Sequence, residues 1–142
     1  MSENVLFRIK GLHSNGDNSE EQDEIEVLNG AQYYKKNDTH YILYEEIAEG
    51  TTTVTKNLVK ISKDKVEITK KGGVGTNMCF VPGKRHKTDY YTPEGMFSMG
   101  MDTKSVDMVE EDETITVIIA YAMELNNEHV ADCRVELQII KK

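Results

Sequence analysis

Three groups of residues have the chemistry to act on another molecule. Lys84-Arg85-His86-Lys87 is a run of basic side chains, and Lys70-Lys71 lies on what reads as a nearby turn. On an acidic chain such a concentration focuses positive field and would draw an anion to one rim of the fold. The simpler reading is a solvated turn whose lysines keep a sheet edge soluble. Lys63 and Lys65, on another turn, favour that simpler reading.

Tyr44-Glu45-Glu46 is the second group. Adjacent residues on a strand point to opposite faces, so the two carboxylates are not an acid–base couple. One of them would face inward and need a partner, and the arginines available are Arg8, Arg85 and Arg134. The third group is apolar. Met78, Met96, Met99, Met101 and Met123 fall around the central strands, and methionine suits either an adaptable pocket or ordinary core filling.

Other chemistry has less support. His13, His40, His86 and His129 are scattered, with no two at ligand spacing, so no metal site is expected. Gly72-Gly73-Val74-Gly75 precedes no helix and reads as a glycine-rich turn rather than a phosphate loop. No nucleophile elbow and no cysteine motif is present, so no catalytic residues and no cofactor are assigned.

The chain has 142 residues and a formal net charge of −8, with no tryptophan. One domain over 1–142 is expected, with a real core. The negative charge and low aromatic content disfavour nucleic acid as a partner. No apolar run approaches the roughly 18 residues of a membrane span. The start shows no signal peptide, and Cys79 and Cys133 suit two free thiols in a reducing cytoplasm.

The elements that must position these residues are strands. Val5, Phe7 and Ile9 alternate with polar neighbours, as do Ile42, Tyr44 and Glu46, and Ile115, Val117, Ile119, Tyr121 and Met123. The last strand sets Ala131, Cys133, Val135, Leu137 and Ile139 on one face. Asn15-Gly16, Asn29-Gly30, Asn37-Asp38, Glu49-Gly50, Lys63-Asp64 and Asn126-Asn127 mark turns or bulges. Alternation slips around Asn57-Leu58-Val59, which suggests a bulge, and a polar segment runs to Asp112. No stretch shows helical periodicity. The pattern is all-β: a single closed antiparallel up-and-down barrel of about 8–10 strands.

Its central hairpin surrounds Thr92-Pro93-Glu94-Gly95 and has two registers open to it. A three-residue loop with a bulge at Gly95 sets Tyr91 opposite Phe97 and puts Arg85, Lys87 and Asp89 on the face of Met99. A four-residue loop sets Tyr90 opposite Phe97 and Thr88 opposite Met99. Turn chemistry favours the first, because Thr92 precedes proline. Keeping three charges off a buried face favours the second, which is the one expected.

Tyr44-Glu45-Glu46, Met78 with Phe80, and Tyr90 with Thr92-Pro93 and Gly95 carry a likeness, to which Met99, Thr103 and Tyr121 add. From Val5 to Ile140 the chain resembles the YwiB-like proteins, a bacterial family of unknown function. The resemblance implies a calycin-type, lipocalin-like β-barrel and brings no catalytic residues. Calycins often bind ligands in the barrel, yet this chain lacks a Gly-x-Trp at its first strand and an Arg-x-Tyr in its last. Those departures disfavour a fatty-acid carrier.

The function expected is a non-enzymatic barrel holding a small apolar or anionic molecule. Its pocket is expected from Tyr44, Met78, Phe80, Tyr90, Phe97, Met99 and Tyr121, with Arg85 or His86 at the rim. The alternative is a filled barrel that meets another protein or a second copy of itself.

Overall fold

The computed structural model describes residues 3–14, 22–47, 50, 52–73 and 75–141. Alternating sequence becomes ten strands: β1 (Glu3–Ser14), β2 (Gln22–Lys36), β3 (Thr39–Ile47), β4 (Val54–Ser62) and β5 (Lys65–Gly72), then β6 (Thr76–Phe80), β7 (Arg85–Thr92), β8 (Gly95–Glu110), β9 (Thr114–Leu125) and β10 (Glu128–Lys141). They form one antiparallel sheet in the order β6-β5-β4-β3-β2-β1-β10-β9-β8-β7. Each strand pairs with its neighbour in sequence except β6 with β7, the two ends of the sheet, and β1 pairs with β10, so the chain is an up-and-down meander curled into a nearly closed barrel. No helix occurs among the described residues.

The seam lies between β6 and β7. Among the described residues their backbones pair only at Gly75 and Tyr91, through reciprocal N–H···O bonds of 3.0 and 2.9 Å. Below that point the His86 ring nitrogen Nε2 reaches the Asn77 carbonyl at 3.3 Å, a side chain bridging the two strands.

One face of every strand fills the interior. Val5, Phe7, Ile42, Val59, Ile61, Val66, Met101, Val117, Ile119, Leu137 and Ile139 are all at most 1% exposed, which places the packed centre. Two turns close as expected of their residues. Asn37-Asp38 and Asn126-Asn127 take positive φ throughout (52°, 63°, 51° and 69°), the type I′ geometry that matches strand twist.

The central hairpin adopts the register that keeps charge outside. Tyr90 faces Phe97 and Thr88 faces Met99. Pairing runs one step further than expected, to Thr92 and Gly95, so the loop is only Pro93-Glu94, with Gly95 at φ 140°. Proline at the first loop position still excludes type I′, and the positive φ falls two residues later, on glycine.

Three local expectations are corrected. The Asn57 region carries no bulge: Thr55, Asn57, Val59 and Ile61 are all buried in an unbroken alternation. The apparent slip arose because a polar residue occupies an inward position. The register shifts fall instead between Thr103 and Ser105 and between His129 and Ala131. The polar segment 104–110 is the second half of a long strand, and Lys70-Lys71-Gly72 is the end of β5 rather than a turn. The Asn15-Gly16 turn, Glu49 and Val74 lie outside the described residues.

Candidate functional site

The site begins with a strand that changes partners. β2 pairs with β1 along Glu3–Ser14, but with β3 only over 32–36 against 39–43. Beyond that point β3 stays with β4, and the β2 and β3 backbones diverge. Gly30 and Ala31 sit at the divergence. A Cβ placed on Gly30 would meet nothing within 4 Å, so small residues leave the gap unfilled.

A cavity of about 600 Å³ occupies this gap. Its inner wall is Val5, Ala31, Tyr44 and Asn57, all buried. Asn4, Gly30, Gln32, Leu43, Glu45 and Lys56 form the outer part. Gln32 donates through its amide to the Asn4 side chain, tying β1 to β2 at the rim. Tyr44 is held from behind by the Phe7 ring, with centroids 5.4 Å apart.

Behind Asn57 lies a polar cluster inside the barrel wall. Lys70 follows Val66 and Ile68 on the inward face of β5. Its Nζ donates to Glu46 Oε1 at 2.9 Å and to Asn57 Oδ1 at 2.7 Å. Asn57 in turn donates through Nδ2 to the Thr55 carbonyl at 3.3 Å. Burial explains the arrangement, since an inward ammonium is tolerated only with an anion and acceptors around it. Burial, and then the nearby Glu46 carboxylate, hold the Tyr44 and Tyr90 phenols above their ordinary range.

Two buried polar atoms, on β6 and β2, lack a partner among the described residues. Thr76 stands opposite Lys70 across the β5–β6 pair, and its Oγ1 makes no hydrogen bond. Asn29 Nδ2, next to Gly30, is also unpaired. Such groups are expensive unless something else completes them.

A second network sits at the opposite end of the barrel. His40, 2% exposed, accepts or donates to Tyr33 Oη at 2.7 Å through Nδ1, and Nε2 lies 3.3 Å from Glu110 Oε1. A recess of about 480 Å³ outside it is lined by residues including Lys35, Lys63, Asp107 and Glu110. His40 has a partner at each ring nitrogen, which suits a polar plug at that end.

Of the residues singled out in the sequence, Tyr44 lines the cavity. Met78, Phe80, Met99 and Tyr121 pack into the core, with the Phe80 and Tyr121 rings 4.9 Å apart. Tyr90 packs against that core, and Phe97, 39% exposed, stands at its edge. Burial, with a smaller contribution from Cys133, pushes the Tyr121 phenol up. The basic run divides: Arg85 pairs with Glu124 at 2.7 Å, Lys87 bonds Asn127 at 2.9 Å and His86 bridges the seam. Glu46 does find a cation, but it is Lys70 and not an arginine.

Asn57, Thr76 and Ala31 were not singled out by their types, and Lys70 was singled out only as part of a basic turn, not as an inward side chain. A signal existed for Lys70: counted from Val66 and Ile68 at period two, it falls on the inward face.

The sequence matches a family profile described as "Domain of unknown function (DUF1934)" over residues 9–137. It is 30% identical over 107 residues to the "Uncharacterized beta-barrel protein YwiB" of Bacillus subtilis (strain 168), spanning 75% of this chain and 74% of that protein. The crystal structure of the ywiB protein from Bacillus subtilis superposes with a TM-score of 0.83 at 23% identity, covering 99% of this chain and 93% of that one. That likeness concerns the fold. With the profile spanning most of the length, the chain belongs to the DUF1934 family of YwiB-like β-barrel proteins.

Proposed function

We propose that the protein reversibly binds one small amphipathic molecule in the cleft between β2 and β3. The observation that carries this reading is the cavity itself. Its volume of about 600 Å³ falls within the roughly 300–1,000 Å³ of small-molecule sites. An apolar wall of Val5, Ala31 and the Tyr44 ring meets the polar side chain of Asn57, which Lys70 contacts from behind. A cytoplasmic setting stays part of this proposal, since neither Cys79 nor Cys133 forms a disulfide among the described residues.

Native mass spectrometry of freshly purified protein tests it, against the same sample denatured. The expected result is an extra mass in the native spectrum that denaturation removes. Ala31→Phe, which projects a ring into the cavity, should abolish that mass while the protein stays folded. A bare monomer that also fails to take up any amphipathic probe would overturn the proposal.

The second reading is self-association, and one surface favours it. On the outer face of β3 and β4, Leu43, Ile47 and Val54 are 39%, 67% and 38% exposed, beside the stacked Tyr34 and Tyr41 rings. A bare dimer in the native spectrum would shift the conclusion to this face.

A further inference from the structure

We infer that the guest carries an anionic group, and that this group binds Lys70 by displacing Glu46. The inference rests on the binding role proposed above and names the chemistry of its ligand. A carboxylate, sulfonate or phosphate headgroup would serve, on a molecule whose apolar part occupies the cleft.

The two partners of the internal ion pair are unequal. The Lys70 side chain is 18% exposed and held on two sides, by Glu46 and by the nearly inaccessible Asn57. The Glu46 side chain is 41% exposed and belongs to the second-last residue of β3. Glu46 can therefore turn into water at little cost, because a half-exposed carboxylate keeps most of its hydration. Lys70 has no such escape. Without an anion its charge would be left inside the wall. The ammonium is thus a fixed anchor and Glu46 an exchangeable counter-ion.

The surroundings favour an anion over other guests. Opposite Lys70, the buried Thr76 hydroxyl has no partner among the described residues and can donate. Tyr44 and Tyr90 also lie within the electrostatic reach of the Glu46 carboxylate, and burial keeps both phenols protonated as donors. An anion in place of Glu46 would meet one ammonium and nearby hydroxyl donors in a partly dry setting, where charge-assisted hydrogen bonds are strongest. A cation would meet the Lys70 charge first. Asn57 joins the anchor to the cavity: its side chain touches Lys70 and also lines the cleft.

The test compares two fluorescent probes of similar shape, anilinonaphthalene sulfonate and the uncharged N-phenylnaphthylamine. Glu46→Gln removes the competing charge and should tighten sulfonate binding about tenfold while leaving the neutral probe unchanged. Lys70→Met should weaken the sulfonate by at least about tenfold, again sparing the neutral probe. Because the first effect is a gain, a misfolded variant cannot produce it. Ala31→Phe should exclude both probes and so separates cleft binding from adsorption elsewhere. If the neutral probe binds and neither charge variant changes the sulfonate, the anion inference fails while the cavity reading stands. If neither probe binds the unaltered protein, both fail.

Discussion

Replacing Phe7 with alanine is expected to cost about 3–5 kcal/mol of folding stability. Phe7 is fully buried on β1, the strand that joins the two halves of the sheet by pairing with both β10 and β2. Its ring backs Tyr44 at 5.4 Å, so truncation removes apolar contact from the core and lets the cavity's inner wall sag. Collapse around the vacancy is limited, because strands on both sides are fixed by their ladders and cannot move inward singly. For a domain with a total stability of about 5–15 kcal/mol, that loss is a large fraction. Urea denaturation checks it: the midpoint should fall steeply with an unchanged slope. A loss below about 1 kcal/mol would show that the ring is not packed as described.

Gly72→Ala should be nearly as damaging, for a backbone reason. Gly72 ends β5 at φ 131°, a conformation that side-chain-bearing residues rarely adopt. An added Cβ would lie 2.1 Å from the Val54 carbonyl oxygen and 3.0 Å from Thr55 Cα, and both are backbone atoms that cannot turn aside. Relief requires β4 and β5 to part where Thr55 pairs with Gly72, two residues from Lys70. The expected loss is about 2–4 kcal/mol, together with weaker sulfonate binding, because the anchor loses its seat. Urea denaturation and probe titration on the same variant measure both. An alanine variant as stable as the parent would contradict the tight β4–β5 approach.

Much of the fold was legible because period-two alternation is a direct consequence of strand geometry. The Ile115-to-Met123 and Ala131-to-Ile139 runs state their inward faces without ambiguity, and the paired Asn and Asp turns state their hairpins. The central hairpin shows how competing local rules resolve. Turn preference at Thr92-Pro93 argued for one register and exclusion of Arg85, Lys87 and Asp89 from the interior argued for the other. The penalty for burying charge exceeds a turn preference, and the second register is the one adopted.

The site was harder to read for a related reason. Lys70 and Asn57 stand at inward positions, and polarity at such positions breaks the very pattern that identifies a strand. Lys70-Lys71-Gly72-Gly73 therefore looked like a solvated turn, and Asn57 like a bulge. Their partners are distant in sequence and come together only through the ladders β3–β4 and β4–β5. The cleft is still less visible in the sequence. It exists because β2 leaves β3 beyond Gln32, and the Asn29-Gly30 pair signals only that something local changes. The Tyr33–His40–Glu110 network likewise joins strands far apart in the chain, with Glu110 seventy residues from His40.

Amide chemical-shift mapping by NMR, with anilinonaphthalene sulfonate titrated into the protein, tests the central claim most directly. A guest in the β2–β3 cleft should perturb Gly30, Ala31, Tyr44 and Asn57 together, extend to Lys70 and Thr76, and leave Ile47 and Val54 on the outer face of β3–β4 unchanged. Shifts confined to Ile47 and Val54 on that outer face, with the cleft residues still, would contradict it and assign the apolar surface, rather than the cavity, to binding.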